Sequence, residues 1–284
     1  MHEYLQCILL PEKLINDLCN QDIETDTKDY LEKVQLLSQM LIKSKDPEIA
    51  DSKALEEVRP ELEKLKFKVC SRARNFIIAK LNNLKKPKTN FQIYQESVLL
   101  KYKPLVAFLR EHHKETYLEL TSVYAEIMDI VYYTQLRQYF NDTAKLIEKT
   151  PKGGELLFTD RASAPGFTRD SNVSASATNA SMTFEFSDTI MTTSAREQAQ
   201  VEVEDRANVL QKIDENPIVV AISQSKHHFA FEEVFRSQNK VIVDTVCKEF
   251  VFVLEFFDLK MAQVSQIFNQ IFARVINKYL EWLS

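Results

Sequence analysis

Residues 64–102 have the sequence KLKFKVCSRARNFIIAKLNNLKKPKTNFQIYQESVLLKY. The first part of this segment places apolar side chains at helical spacing among nine lysines and arginines, with no acidic residue as far as Lys88. Pro87 predicts a break, because the residue before a proline is pushed out of the α-helical region. The segment therefore predicts a basic helix, a sharp corner and a second helix.

The second helix is predicted to begin with a capping box at Thr89. In this motif the Thr89 hydroxyl accepts a hydrogen bond from the third helical amide, and Gln92 reaches back to the amide of the cap residue. The helix then starts near Asn90, and Tyr102 lies among the apolar residues that it carries into a core.

Glycine is the most informative residue of the composition. The 284 residues contain three glycines, all between Gly153 and Gly166, whereas average usage would give roughly 20. Hairpins usually need glycine for their left-handed turns, so sheets are disfavoured and long helices with few corners are favoured. We therefore predict an all-α protein of elongated helical rods or a bundle, with coiled-coil-like seams and a disordered central insert.

Helical periodicity also predicts where the individual helices lie. They cover residues 11–20, 28–43, about 55 to the corner, 90–110 and 115–149, followed by two helices after residue 229. Pro60 and Pro104 are expected to kink or split the helices that contain them.

The same periodicity divides the chain into three regions. Region 1–149 is helical, and its apolar residues alternate by three and four along two helices, which fits packing within one bundle as well as pairing with another subunit. Region 150–228 is a variable, low-complexity insert rich in Ser, Thr, Ala and Asn, whose first part is too polar to fold by itself. Region 229–284 begins a more apolar bundle, which we expect to be truncated because its last helix is apolar on adjacent faces.

No pattern in the sequence indicates a catalytic, cofactor or metal site. A glycine-rich phosphate loop, a His-Glu-x-x-His motif, paired zinc cysteines and a nucleophile elbow are all absent. The two histidine pairs are adjacent in sequence, so on a helix their side chains point about 100° apart. We predict a protein that is not an enzyme, and the net charge of −5 argues against a nucleic-acid partner.

The basic face of residues 64–88 has two interpretations. Its cations can contact an acidic partner or an anionic membrane, where each Lys or Arg contributes about 1 kcal/mol. Alternatively, they form a solvated helix face whose long stems cover apolar neighbours. The candidate contact residues are Lys68, Arg72, Arg74, Lys80, Lys85, Lys86 and Lys88, and a peripheral membrane-binding module acting through them is the alternative function.

Two blocks of the sequence resemble one eukaryotic family. The first is KPxTNFQIxQ at 86–95, followed by LLKY at 99–102; the second is FExxFRSQ at 231–238, followed by CKE at 247–249 and EFF at 255–257. Together they resemble the vacuolar-protein-sorting subunit number fifty-two, shared by the GARP and EARP vesicle-tethering complexes. The motif residues singled out are Pro87, Thr89, Asn90, Gln92, Tyr102, Phe235, Arg236 and Gln238. The resemblance is weaker over residues 1–60 and absent from roughly 150–228.

The resemblance implies a non-catalytic subunit of a tether that acts in retrograde transport from endosomes to the Golgi apparatus. It implies that the partners are the other GARP and EARP subunits, SNAREs and small GTPases. It also implies a cytosolic protein, peripheral on the trans-Golgi network and on endosomes. Family members carry an upstream coiled-coil region and a longer C-terminal helical region, so we expect this chain to be a central fragment that lacks both.

Overall fold

The computed structural model describes residues 11–45, 53–86, 89–147, 208–220 and 228–283. Most of the predicted insert lies outside these ranges, as do Pro87 and Lys88 at the predicted corner. Within them the chain is helical, and its only extended pairing is an isolated bridge between Ile147 and Phe229. The all-α prediction is confirmed.

Long helices joined by short corners account for most of the described residues. The helices are α1 (Glu12–Asn20), α2 (Thr27–Lys43), α3 (Lys53–Asn82), α4 (Phe91–Ser97), α5 (Lys103–His112), α6 (Lys114–Ala144), α7 (Phe231–Phe257) and α8 (Met261–Leu283). Short 3₁₀ turns occupy Asn83–Lys85, Leu99–Tyr102 and Asn208–Lys212.

The two prolines within the predicted helices have different effects. Pro60 lies inside α3, and the helix continues through it to Asn82. Pro104 lies in the first turn of α5, where the missing N–H of proline would have had no helical partner. The helix predicted over 90–110 is therefore split into α4, a 3₁₀ turn and α5, as expected from Pro104.

The corner after α3 differs from the prediction at its cap. The N-cap of α4 is Asn90, whose Oδ1 accepts a hydrogen bond from the backbone N of Ile93 at 3.2 Å. The capping box at Thr89 is therefore wrong, and asparagine is the stronger N-cap residue of the two. Gln92 does not reach back to the cap; its Oε1 accepts from Nζ of Lys248 on α7 at 3.2 Å.

Replacing Asn90 by alanine is expected to lower the free energy of unfolding by about 1 kcal/mol, because the amide of Ile93 loses its acceptor. Urea denaturation followed by circular dichroism measures the change. Thr89→Ala is the matched control and should shift the free energy by less than about 0.5 kcal/mol. A larger loss for Thr89→Ala than for Asn90→Ala would restore the capping box.

The chain divides into two compact units, which we describe separately. The first contains residues 1–141 and 242–284, and the second contains residues 142–241. In the first unit α1, α2, α3 and α5 pack against one another around fully buried side chains that include Leu18, Tyr30 and Leu37. In the same unit α6 and α7 meet through aromatic rings, and the Tyr124 and Phe257 centroids lie 5.1 Å apart.

Most of the apolar face of α8 is covered by α6 and α7. Phe272 stacks on Tyr132 of α6 with ring centroids 5.0 Å apart, and Phe268 contacts Phe250 of α7 at 6.0 Å. The apolar residues on adjacent faces of α8 are therefore covered by two neighbouring helices, α6 and α7. Apart from Met261 at its first residue, what remains exposed on α8 is a stripe at Ile276, Leu280 and Leu283.

An aspartate makes the corner between α7 and α8. Asp258 has φ 51°, in the left-handed region that aspartate tolerates better than most residues. Arg110 of α5 donates to the Asp258 carbonyl at 3.0 Å and also to its carboxylate. The Tyr117 hydroxyl donates to the last helical carbonyl of α7, that of Phe257, at 2.9 Å. These bonds hold the corner without a glycine.

Candidate functional site

A buried polar cluster joins the two blocks of sequence that carry the family resemblance. Gln95 of α4 lies in the first block and Glu249 of α7 lies in the second, and Gln95 Nε2 donates to Glu249 Oε2 at 2.9 Å. The Tyr132 hydroxyl donates to the same oxygen at 2.6 Å, and the Tyr124 hydroxyl donates to Oε1. Gln95 Nε2 also donates to the Tyr124 hydroxyl at 2.8 Å. We call these four residues the buried carboxylate cluster.

The local structure explains why these side chains meet. The corner before α4 and the 3₁₀ turn after it keep α4 short, and Gln95 is its one buried residue. Tyr124 and Tyr132 both lie on the buried stripe of α6. Glu249 is 1% exposed, so α7 presents it to the interior. Each of the three helices therefore contributes to the cluster.

The cluster holds a carboxyl group with neutral donors alone. Burial raises the pKa of Glu249 above its ordinary value of 4.5, although all three hydrogen-bond donors act in the opposite direction. The pKa values of Tyr124 and Tyr132 are raised well above 10.0, first by burial and then by the charge of Glu249. No Lys, Arg or His of the described ranges hydrogen-bonds to Glu249.

Aromatic rings enclose the cluster. The Phe91 ring lies edge-on to Tyr132 with centroids 5.1 Å apart, and the Phe272 ring stacks on Tyr132 with centroids 5.0 Å apart. The Phe252 centroid lies 5.7 Å from that of Tyr124. A buried carboxyl whose hydrogen bonds join three helices fixes the relative positions of those helices. It has no open face from which to act on a substrate, so its chemistry is structural.

The raised pKa gives the cluster a pH dependence with a defined sign. Because the folded state binds the Glu249 proton more tightly than the unfolded chain, the free energy of unfolding falls as pH rises from about 4.5 through the folded pKa. Above that pKa the loss is complete. We expect Glu249→Gln to remove this part of the pH profile, which urea denaturation at a series of pH values would measure. Parallel profiles for the two proteins would show that Glu249 titrates normally.

Three of the candidate contact residues on the basic face bind within the chain. The Arg72 guanidinium donates to the carbonyls of Leu18 and Gln21 at the end of α1. Arg74 donates through Nε to Glu119 of α6 at 2.7 Å, and Lys80 forms an ion pair with Glu24. All three side chains are partly buried.

Three of the other four basic candidates are exposed. Lys68, Lys85 and Lys86 make no ion pair with any residue of the described ranges, and Lys88 lies outside them. The structure therefore separates the basic face into cations that hold helices together and cations that face solvent.

Tyr102 packs the corner of the first block. It is buried at the end of the 3₁₀ turn after α4, and its ring lies edge-on to Phe76 of α3 with centroids 4.8 Å apart. Of the other motif residues in this block, Asn90 caps α4 and Gln92 contacts α7, while Pro87 lies outside the described residues.

The motif residues of the second block lie in the second unit. The buried Gln238 donates through Nε2 to Thr143 Oγ1 at 2.8 Å. Arg236 donates to the carbonyls of Lys212 and Glu215, both at 3.0 Å. Phe235 stacks on Phe231, with centroids 6.2 Å apart. These contacts attach the segment around residues 208–216 and the end of α6 to the start of α7.

Neither a metal site nor a membrane-spanning helix is present in the part of the chain that the structure describes. No group of three His, Cys, Asp or Glu side chains there is placed to hold a metal ion. None of the helices described is both long and apolar enough to cross a membrane.

Two models of one protein family match the chain. The coiled-coil model of the Vps52/Sac2 family matches residues 1–109, and the Vps52 C-terminal model matches residues 173–284. The chain therefore contains at least part of both regions, against the expectation that it lacks them, and its likeness to the family extends into the insert. No solved structure matches the chain with significance.

Curated relatives match nearly the whole chain. Vacuolar protein sorting-associated protein 52 A of Arabidopsis thaliana is 30% identical over 95% of this chain and 35% of its own length. The human homolog of vacuolar protein sorting-associated protein 52 is 26% identical over 99% of this chain and 36% of its own length. The chain thus spans about a third of the length of the curated relatives it matches. The range matched by the coiled-coil model contains the first sequence block, and the range matched by the C-terminal model contains the second. The chain therefore belongs to the Vps52 family.

Proposed function

We propose that this chain acts as a non-catalytic subunit of the GARP and EARP tethering complexes, in retrograde transport of vesicles from endosomes to the Golgi apparatus. The names of its relatives state a role in vacuolar protein sorting, and family membership supports a place in a multisubunit sorting complex. The partners would be the other tether subunits, with SNAREs and small GTPases, at the trans-Golgi network and endosomal membranes.

The observation that carries this proposal is the buried carboxylate cluster. It joins Gln95 and Glu249, which come from the two blocks shared with the family, and encloses both among aromatic rings. The polar residues of the blocks are used to fix helices in position, which suits a rigid scaffold that presents helix surfaces to other proteins.

Co-purification tests the proposal. A tagged copy of the chain, expressed in eukaryotic cells, should retain the other GARP or EARP subunits through affinity capture and gel filtration, as detected by immunoblotting. A chain that melts cooperatively and is monodisperse, yet captures none of these subunits, would overturn the proposal.

Membrane binding through the basic face remains the second candidate function. Lys68, Lys85 and Lys86 favour it, because they are exposed and form no ion pair within the described part of the chain. The internal bonds of Arg72 and Arg74 instead reduce the charge available to a membrane. Flotation of the full chain with vesicles containing phosphatidylserine distinguishes the two functions. Salt-sensitive flotation that Lys85→Glu with Lys86→Glu abolishes would support a membrane-binding module; no flotation would remove it.

A further inference from the structure

An apolar groove lies within the first unit. One side is formed by α4 and the 3₁₀ turn that follows it, and the other side by α7. The groove has a volume of about 420 Å³ and is lined by side chains that include Leu100, Cys247, Val251 and Phe252. Phe252 is buried, whereas Val251 is 61% exposed. The groove thus has a buried aromatic side chain and an aliphatic one that faces solvent.

Further exposed apolar side chains lie on the two helices that form the groove. Val243, Cys247 and Val251 follow one another at intervals of four residues, so they lie on one stripe of α7. Val243 is 56% exposed, and Ile93 of α4 is 61% exposed. Exposed apolar side chains grouped on neighbouring helices in this way are typical of a binding site for another molecule.

Two of the three charged residues beside the groove are acidic. Glu96 of α4 and Glu255 of α7 both line it, and neither forms an ion pair with any residue that the structure describes. Lys248 also lines the groove, but its ammonium group donates to Gln92 Oε1 at 3.2 Å. Two carboxylates are therefore available to a cationic ligand.

We propose that this groove binds an amphipathic helix of a partner protein that carries Lys or Arg beside its apolar face. Grooves between two helices bind a third helix through apolar side chains at positions i, i+3 or i+4, and i+7. Basic residues next to that stripe would pair with Glu96 and Glu255. The proposal rests on the groove alone and does not depend on the proposed function.

The charges separate this occupant from the other candidates. The carboxylates of Glu96 and Glu255 outnumber the single ammonium group of Lys248, so the net charge beside the groove opposes an anionic membrane surface. A second copy of the chain could offer the exposed stripe of α8, but Lys278 beside that stripe is already paired with Glu281 at 2.8 Å. A basic helix from another protein satisfies both the apolar lining and the free carboxylates.

The test uses a phage-displayed library of 18-residue helical peptides, selected on the full chain after depletion on a Val251→Glu variant. The selected peptides should show apolar residues spaced by three and four, together with Lys or Arg. In fluorescence anisotropy Val251→Glu should weaken their binding at least tenfold. The pair Glu96→Gln and Glu255→Gln should weaken it several-fold, and most of that difference should vanish in high salt. Leu118→Glu on α6, at a residue that is 47% exposed, is the matched control and should change nothing.

A second measurement uses the unaltered chain. A bound peptide should slow alkylation of the exposed Cys247 several-fold and leave the half-buried Cys19 unaffected. The proposal is overturned if no peptide depends on Val251, if the selected peptides are acidic, or if Cys247 stays equally reactive. It is also overturned if sedimentation shows a dimer that Val251→Glu dissociates, since the groove would then belong to a second copy.

Discussion

Replacing Glu249 by alanine is expected to lower the free energy of unfolding by about 3 kcal/mol. The substitution removes the acceptor of three buried donors: the hydroxyls of Tyr124 and Tyr132, and the Gln95 amide, which keeps only its bond to the Tyr124 hydroxyl. Each unsatisfied buried donor costs about 1–3 kcal/mol, and the loss of the buried carboxyl group offsets part of this sum. Urea denaturation of the full chain at neutral pH, followed by circular dichroism, measures the change.

Two controls separate the cluster from a general effect of substitution in α7. Glu255→Ala, on the same helix but outside the cluster, should change the free energy of unfolding by less than about 0.5 kcal/mol. Tyr132→Phe should cost less in the Glu249→Ala protein than in the unaltered one, because its hydroxyl has already lost its partner. Equal losses for Glu249→Ala and Glu255→Ala would show that the cluster contributes nothing.

Local signals were sufficient to predict the helices. The scarcity of glycine excludes most hairpins, and apolar periodicity predicts α1, α2 and α6 to within about five residues and two helices after residue 229. The chemistry of proline predicted the split before α5. The cap of α4 was misplaced by one residue, because Thr89 and Asn90 are adjacent and both can cap a helix.

The buried carboxylate cluster could not be predicted from such signals. Tyr124 fits the apolar spacing by three and four of its helix, and no residue close to Glu249 in sequence shows which groups it contacts. The cluster forms because residues 29 and 125 positions away from Tyr124 come together in the fold. The one local signal was an acid within the apolar pattern of α7, where a buried charge requires partners.

The contacts made by the cations of the basic face could not be predicted from the sequence either. A run of cations identifies neither their partners nor whether those partners lie within the chain. Arg74 binds Glu119 and Lys80 binds Glu24, both far away in sequence. Lys64 and Lys66 pair with Glu61 and Glu63 one helical turn away. The uniform basic stretch is therefore partly a set of ties between helices.

Replacing Arg72 by alanine is expected to lower the free energy of unfolding by about 2 kcal/mol. Its guanidinium donates to the carbonyls of Leu18 and Gln21, which have no further turn of α1 to pair with. It also lies over the ring of Tyr30, 5.5 Å from the centroid. Hydrogen bonds that involve a charged group contribute about 1.5–3 kcal/mol. Thermal and urea unfolding of the full chain measure the loss.

Two further substitutions distinguish this structural role from a membrane contact. Arg72→Lys keeps the charge but lacks the planar fork that reaches two carbonyls, so it should recover less than half of the lost stability. Lys68→Ala, one turn earlier on α3 and exposed, should leave stability within about 0.5 kcal/mol of the original. If Arg72→Ala instead left stability unchanged and reduced binding to anionic vesicles, Arg72 would belong to the membrane-facing set. Because the guanidinium already serves as the cap of α1, we expect the stability to change and Arg72→Lys to fail as a substitute.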